Sequence, residues 1–187
     1  MTSVFAGHIV LAGPIGVGKT PIAEIIAERL GIEHILLDAA DECRRKVGWR
    51  EEEYLRLLSQ FGYLAAFTYN ARFSVPLIQC LTSEYPCAVL DCGGDDLVGW
   101  TDEQRIEIKE GLAALGISHV AGILPFRSIA KTRSYFAAQP HRSKIDELLL
   151  QNPSYWQLAN KIFYTKGLAL EPVAEAILKW VCDPTTR

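Results

Sequence analysis

Residues 13–20 have the sequence GPIGVGKT and fit the phosphate-binding pattern G-x-x-x-x-G-K-[ST]. Gly16 and Gly18 let the backbone turn tightly, so that its N–H groups can point at phosphate oxygens. Lys19 adds a positive charge for the terminal phosphates, and the hydroxyl of Thr20 can bind Mg²⁺. The pattern therefore predicts a site for ATP and Mg²⁺. Its expected contacts are Gly13, Ile15, Gly16, Val17, Gly18, Lys19 and Thr20.

The flanking sequence places this loop between a strand and a helix, which is the context in which the pattern binds phosphate. Residues 9–12 are a short apolar run typical of a buried strand. Pro21 is tolerated because it falls in the first helical turn. The N-terminus of this helix would direct its positive dipole end at bound phosphates. Apolar residues then recur at helical spacing, namely Ile22, Ile25, Ile26 and Leu30.

Acidic residues follow the next two strand-like segments. Asp38 follows the apolar run 34–37, and Asp91 follows the run 87–90. The carboxyl ends of parallel strands meet at one edge of a sheet, where such folds bind their ligands. Asp91 is expected to bind Mg²⁺, and Asp38 to bind Mg²⁺ or to accept a proton from a substrate hydroxyl. A turn or helix-cap role is the alternative for both acids and for Asp41.

Strand-like and helix-like segments alternate along the whole chain, which predicts a parallel sheet with helices on both faces. No repeat or linker interrupts the pattern, so one domain over residues 1–187 is expected. Strands are expected at 9–12, 34–37, 87–90, 120–124 and 162–165. Helices are expected at 21–30, 41–47, 51–67 (as one or two), 74–85, 101–115, 128–138, 144–150, 152–161 and 172–180.

The composition narrows the class of protein. The 187 residues are 49% hydrophobic, which suits an α/β domain with a substantial core. The net charge of −3 gives no electrostatic support for nucleic-acid binding. No segment has the pattern of a transmembrane helix or a signal peptide, so a cytoplasmic protein without membrane association is expected. The five cysteines form no C-x-x-C pair, so reduced thiols are expected.

Other polar groups give weaker indications. Gly93-Gly94, directly after the third strand, would let a substrate approach the backbone. Arg72 and Arg142 could each bind an anionic substrate or the transferring phosphate, and Arg142 lies in a polar segment suited to a mobile loop. A surface position is the alternative for either arginine taken singly. Residues 44–46 (RRK) are interpreted as a solvated helix face.

In their order along the chain, these features resemble the shikimate kinases, a family of small-metabolite kinases with phosphate loops. GPIGVGKT matches the nucleotide loop, Asp38 matches the first acid of the family's D-x-D, and residues 151–155 (QNPSY) resemble its R-N-P-x-Y. Arg72 stands about as far before Gly93 as the family's substrate-binding arginine stands before its glycine triplet. The resemblance covers nearly the whole chain and implies a three-layer α/β/α P-loop NTPase fold with sheet order 2-3-1-4-5.

The same resemblance implies roles for further residues. Lys131 and Arg133 would lie on the adenine side, and Pro172 in the loop before the last helix that helps to hold the adenine. Arg142 would belong to a lid near residues 137–143 that closes over the transferring phosphoryl group. The implied substrate contacts are Asp41, Arg72, Gly93, Gly94 and Gln151. The implied catalytic residues are Lys19, Asp38 and Arg142. The implied metal ligands are Thr20, Asp38 and Asp91.

The departures from the family pattern concern the substrate half. The second acid of D-x-D is Ala40, with Asp41 one place on, and the first glycine of the triplet is Cys92. The arginine before N-P-x-Y, which helps to hold the shikimate carboxylate in the family, is Gln151, and the lid segment is shorter. ATP binding therefore carries over, whereas shikimate is expected to be a poor substrate or none.

The sequence favours an ATP-dependent kinase, monomeric or weakly dimeric, that acts on a hydroxyl of a small metabolite. A kinase for a nucleoside, a nucleotide or a sugar acid is one alternative. A nucleotide-binding regulatory protein that has lost transfer is another, since Ala40 and Gln151 suit it equally well. A guanine switch is disfavoured because Asn160-Lys161 lacks the acid two positions later that guanine readers use.

Overall fold

The computed structural model describes residues 5–139, 144–183 and 185. A parallel sheet forms the centre of the fold. Five strands of this part of the chain lie in the order β2-β3-β1-β4-β5, and every neighbouring pair is parallel. The expected number, direction and order of strands are confirmed, and each strand end lies within one residue of its expected position. The strands are β1 His8–Ala12, β2 Glu33–Leu36, β3 Ala88–Asp91, β4 His119–Leu124 and β5 Lys161–Tyr164.

Helices cover both faces of the sheet, as expected. The segment 51–67 forms two helices because Gly62, with φ 81° and ψ −175°, interrupts it. The expected helix at 152–161 is wrong, since a single helical turn there gives way to β5. None of the helices in the described residues is long and apolar enough to cross a membrane. The α-helices of this part are α1 Lys19–Leu30, α2 Asp41–Lys46, α3 Glu51–Phe61, α4 Tyr63–Ala71, α5 Ser74–Glu84, α6 Asp102–Ala114, α7 Ile129–Ala137, α8 Lys144–Gln151, α9 Ser154–Gln157 and α10 Leu170–Val181.

The central strand β1 links the two helical layers. Ile9 and Leu11 pack with side chains of α1 and α10, whereas Val10 and Ala12 pack with side chains of α5 and α6. Successive strand residues point to opposite faces, so helices on both sides bury residues 9–12 of the strand. Burial of a large aliphatic side chain contributes roughly 1.5–3 kcal/mol. The apolar run before the phosphate loop therefore places that loop at the middle of the sheet edge.

A disulfide corrects the expectation that all five cysteines are reduced. Cys43 of α2 and Cys80 of α5 are bonded, with their Cα atoms 5.8 Å apart. Cys87, Cys92 and Cys182 are free thiols. The bonded pair is 37 residues apart in sequence, so only the packing of α2 against α5 brings the two sulfurs together.

Loss of this disulfide is expected to lower the free energy of unfolding by roughly 2–4 kcal/mol, because the bond restricts the unfolded chain. The double variant Cys43→Ser/Cys80→Ser should show this loss in urea unfolding without reductant. Dithiothreitol should lower the stability of the wild type, but leave that of the double variant unchanged. Cys182→Ser, which removes an exposed free thiol, is the control. Identical unfolding of the wild type with and without reductant would contradict the prediction.

Candidate active site

The phosphate loop lies at the carboxyl end of β1 and leads directly into α1. Gly13, Gly16 and Gly18 have φ values of 155°, 75° and 93°, which L side chains rarely adopt. A Cβ at Gly13 would also overlap the backbone carbonyl of Ile123 in β4. No side chain of the described residues caps α1. The first N–H groups of α1 are therefore available to an anion, as the motif predicts.

Lys19 lies inside the loop and keeps it curved. Its Nζ donates to the carbonyl oxygen of Gly13 at 2.9 Å and to that of Pro14 at 3.1 Å. Burial lowers the pKa of Lys19, while the nearby carboxylates, Asp91 first among them, oppose this shift. The ammonium group is thus held where it can exchange its two carbonyl partners for phosphate oxygens.

Thr20 and Asp91 lie together, as expected for a Mg²⁺ site. Thr20 Oγ1 donates to Asp91 Oδ2 at 2.6 Å. Asp91 ends β3, is paired in register with Leu11 of β1, and is only 3% exposed. His34 Nε2 of β2 lies 3.6 Å from the same carboxylate oxygen. A hydroxyl and a carboxylate are oxygen ligands of the kind that Mg²⁺ prefers, so these two side chains fit that ion.

Asp38 lies in a 3₁₀ turn after β2. Its side chain covers Gly93, which follows the end of the neighbouring strand β3. A Cβ at Gly93 would come within 2.6 Å of one carboxylate oxygen of Asp38 and 2.7 Å of the other. A side chain at position 93 would therefore displace the carboxylate of Asp38. The carboxylate of Asp38 is 68% exposed. Its negative charge, like the charge of Asp91, acts to raise the pKa of Lys19 against the effect of burial. Asp38 thus shares one site with the phosphate loop and remains open to a ligand.

Arg44 is a site residue that the sequence interpretation missed. Residues 44–46 were expected to form a solvated helix face, and this holds for Arg45 and Lys46, which are exposed. Arg44 is buried instead. It lies on the side of α2 that faces the sheet edge, so the expectation is wrong for this residue.

The contacts of Arg44 connect β2, α2 and the loop after β3. Its Nε donates to the carbonyl oxygen of Leu37 at 3.1 Å. Its Nη2 donates to Asp38 Oδ1 at 3.4 Å and to Asp96 Oδ1 at 3.2 Å. The guanidinium also lies over the ring of Trp49, 4.8 Å from the ring centroid. Among the described residues, Arg44 is therefore the cation that contacts the carboxylate of Asp38.

Asp96 is a second residue that sequence reasoning missed. Its Oδ2 accepts a hydrogen bond from the N–H of Gly93 at 2.7 Å, and its Oδ1 accepts the bond from Arg44. Burial raises the pKa of Asp96 to about 7, helped by the negative charges of Asp95 and Asp38. A signal was present in the sequence, since two acids follow the glycine pair of the third strand directly.

The two glycines expected to contact substrate make internal contacts. The N–H of Gly93 is bonded to Asp96, as described. Gly94 is buried, and a Cβ there would lie 2.8 Å from the side chain of Ile15 in the phosphate loop. The pair therefore lets the loop after β3 pack closely against the phosphate loop and Asp38.

The segment that resembles N-P-x-Y supports this same loop. Asn152 Nδ2 and Ser154 Oγ each donate to the carbonyl oxygen of Gly99 at 3.1 Å. The hydroxyl of Tyr155 donates to the carbonyl oxygen of Gly94. All three side chains are buried. Through these hydrogen bonds, residues 152–155 hold the loop after β3 in place, although they lie more than fifty positions later in the sequence.

Three residues expected to bind substrate do not reach the site. Arg72 is exposed and lines a groove between α3 and α4. α4 instead directs Asn70 inward, where its Nδ2 donates to Asp95 at 3.0 Å. Asp41 and Gln151 are exposed, and within the described residues no hydrogen bond or ion pair joins either side chain to the site. Arg44, rather than Arg72, is therefore the arginine that lies beside Asp38.

The three residues expected to lie near the adenine are all exposed. Arg133 Nε and Nη2 donate to the carbonyl oxygen of Leu150 at 3.3 Å, which ties α7 to α8. Lys131 and Pro172 are exposed, and none of these three residues lines the cleft beside the phosphate loop. Arg142 and the end of the expected lid lie outside the described residues. The cleft is lined by Gly16, Val17, Pro125, Tyr135, Thr165, Lys166 and Gly167.

Comparison with known proteins gives similar folds at low sequence identity. Residues 9–65, which include the phosphate loop, match the family described as "ATPase family associated with various cellular activities (AAA)". No curated protein sequence matches the chain. A shikimate kinase from Acinetobacter baumannii, solved in complex with shikimate, is 23% identical, with a TM-score of 0.57 over 95% of this chain and 94% of that one.

Two further solved structures extend the similarity. A gluconokinase from Sinorhizobium meliloti 1021 is 18% identical, with a TM-score of 0.51 over 95% of this chain and 92% of that one. The tunicamycin resistance protein of Deinococcus radiodurans is 19% identical, with a TM-score of 0.53 over 95% of this chain and 96% of that one. The expected order of strands and the three layers are confirmed by both the sheet and these similarities. The chain therefore has the P-loop fold of the shikimate kinases and related small-molecule kinases.

Proposed function

We propose that this protein transfers a phosphoryl group from ATP to a hydroxyl group of a small metabolite. The observation that carries the proposal is that phosphate-binding and acceptor groups meet at one sheet edge. Lys19 and the bonded pair of Thr20 and Asp91 lie beside Asp38, which is open to a ligand. Proteins with this fold that are named as kinases of shikimate, gluconate and sugars support the same reaction class.

The phosphate loop and Lys19 would position the phosphates of ATP. The loop amides and the N-terminus of α1 supply hydrogen-bond donors, and Lys19 supplies the buried positive charge. Thr20, Asp91 and Asp38 would hold Mg²⁺, which when bound neutralises negative charge on the transferred group. Phosphoryl transfer needs little covalent chemistry from the protein, so charge and position provide most of the catalysis.

On the acceptor side, Asp38 would orient the attacking hydroxyl and take its proton, or hold a water of the metal ion. Its exposed carboxylate suits this role. The proposal keeps one domain over residues 1–187, with a lid near residues 137–143 whose Arg142 closes over the transferring group. Hydrogen exchange of that segment with and without nucleotide tests the lid.

Shikimate is proposed to be a poor acceptor. The family acid that grips the ring hydroxyls is Ala40 here, and the second carboxylate-binding arginine is Gln151. The remaining arginine of the family pattern, Arg72, lies in the groove between α3 and α4. A hydrogen bond to a charged group contributes about 1.5–3 kcal/mol. The loss of two such bonds would weaken transition-state binding on the order of 100-fold or more.

A coupled ADP-release assay tests the function with ATP–Mg²⁺ and a panel of sugars, polyols, hydroxy acids and nucleosides. Transfer to at least one acceptor above the background hydrolysis of ATP is expected, with shikimate among the slowest. Tight ATP binding without transfer to any member would instead favour a nucleotide-binding regulatory protein. Absence of ATP binding would refute the proposed function altogether.

A further inference from the structure

We propose that the carboxylate of Asp96 fills the position in which an anionic group of the acceptor would otherwise bind. The protein therefore selects acceptors whose corresponding end is uncharged or positively charged. The inference rests on the proposed function, because it concerns the acceptor of that reaction. It differs from the expectation that a single anionic group of the substrate is held by Arg72.

The position of Asp96 is defined by two donors. The backbone N–H of Gly93 donates to its Oδ2 at 2.7 Å, and Nη2 of Arg44 donates to its Oδ1 at 3.2 Å. The residue is only 4% exposed, so these bonds are shielded from water. One carboxylate therefore satisfies both donors from within the protein.

These two donors are of the type that binds an anionic ligand. A backbone N–H at the end of a strand and a guanidinium together form a charge-assisted site for a carboxylate or a phosphate. Both lie next to Asp38, the proposed acceptor-side acid, which contacts Arg44 at 3.4 Å and covers Gly93. Without the carboxylate of Asp96, the anionic end of a hydroxy acid could bind there while its hydroxyl faced Asp38.

The surrounding charges favour the same selection. Nη2 of Arg44 is shared between two carboxylates, and its Nε is bonded to the carbonyl oxygen of Leu37. Asp95 adds a further acid, bonded to Asn70. Among the described residues of the acceptor side, carboxylates therefore outnumber cations, and a second anion would be repelled.

Hydrogen bonds from two other elements hold the loop that carries Asp96 in position. The hydroxyl of Ser74 in α5 donates to the backbone carbonyl of Asp96. Tyr155 bonds to Gly94 in the same loop. The backbone on both sides of the loop is thus held by α5 and α9, which directs the side chain of Asp96 toward Gly93 and Arg44.

Formate binding to the variant Asp96→Ala tests the inference independently of catalysis. Removal of the side chain should open a site with free donors on Gly93 and Arg44, and formate is a carboxylate small enough to enter it. Thermal unfolding is followed at pH 8, above the pKa of about 7 to which burial raises Asp96. Saturable stabilisation by formate is expected, with an apparent Kd at least tenfold lower than in the wild type.

Two controls assign this effect to the proposed position. The double variant Asp96→Ala/Arg44→Leu should lose the formate effect, and chloride at equal ionic strength should not reproduce it. Asp102→Ala removes an exposed aspartate that is bonded to Arg105, so it deprives another arginine of its carboxylate partner, and it should gain no stabilisation. Equal formate binding by wild type and Asp96→Ala, or none by Asp96→Ala, would overturn the inference. If Asp96→Ala does not fold, Asp96→Ser, whose side chain is also too short to fill the position of the carboxylate, is used with the same expected outcomes.

A matched acceptor series separates this inference from the proposed function. Gluconate, sorbitol and 1-amino-1-deoxysorbitol share one carbon chain and differ in charge at a single end. The wild type is expected to transfer phosphate to the neutral or cationic member with kcat/KM at least tenfold above that for gluconate. Asp96→Asn should narrow this ratio. Preference of the wild type for gluconate would refute the inference and leave the proposed function intact, whereas failure to bind ATP would refute the function and leave the formate result standing.

Discussion

Replacement of Lys19 by alanine is expected to lower phosphoryl transfer by about 10²–10³-fold, the usual effect of removing one donor that stabilises developing charge. ATP should bind about 10–100-fold more weakly, because a hydrogen bond to a charged group contributes roughly 1.5–3 kcal/mol. Lys19 has this role because its ammonium group is buried inside the loop, where it donates to the carbonyl groups of Gly13 and Pro14.

Fluorescence titration with a labelled ATP analogue and the ADP-release assay measure the two effects separately. Lys109→Ala removes an exposed lysine of α6 and should change neither. Circular dichroism and thermal unfolding establish that Lys19→Ala is folded, since the loop loses two hydrogen bonds in that variant. Wild-type ATP affinity in a folded Lys19→Ala would show that the loop does not bind nucleotide in the proposed way.

The variant Asp91→Asn is expected to lose Mg²⁺-dependent transfer by a similar factor, about 10²–10³-fold. The amide keeps the shape of the side chain and can still accept the hydrogen bond from Thr20, so the fold should be retained. It cannot supply the negative charge that a hard cation requires. Because Asp91 is 3% exposed, water cannot readily substitute for the missing charge.

A Mg²⁺ titration of ADP release measures this effect. Asp91→Asn should need a higher Mg²⁺ concentration for half-maximal activity, while its affinity for ATP in the presence of EDTA stays near that of the wild type. Asp102→Asn, at an exposed position in the first turn of α6, is the matched control. An unchanged Mg²⁺ dependence in Asp91→Asn would place the metal ion elsewhere.

The phosphate loop and the sheet could be predicted because their signals are local. Residues 13–20 are contiguous, and the strand before them is a continuous apolar run. The position of Asp38 and Asp91 at one sheet edge could be predicted because each lies at the carboxyl end of a strand, and parallel strands end at the same edge. Sheet order came from the family resemblance, and strand boundaries differed by one residue at most.

The acceptor side could not be predicted in the same way. Arg44 is one of three consecutive basic residues, and which of them faces the sheet depends on the orientation of α2. That orientation follows from packing against α5, where Cys43 meets Cys80 across 37 residues. Arg72 fitted the family spacing, but α4 turns Asn70 inward and leaves Arg72 exposed.

The sequence by itself determined the phosphate loop of this protein, because such a loop needs only adjacent backbone groups, one lysine and one hydroxyl. Tertiary structure alone decided the surroundings of Asp38. Asp96 meets Gly93 and Arg44 because residues 152–155, more than fifty positions later, hold its loop in place. The direction of a side chain depends on how its helix or loop packs, and packing is decided by contacts between distant segments that no local pattern records.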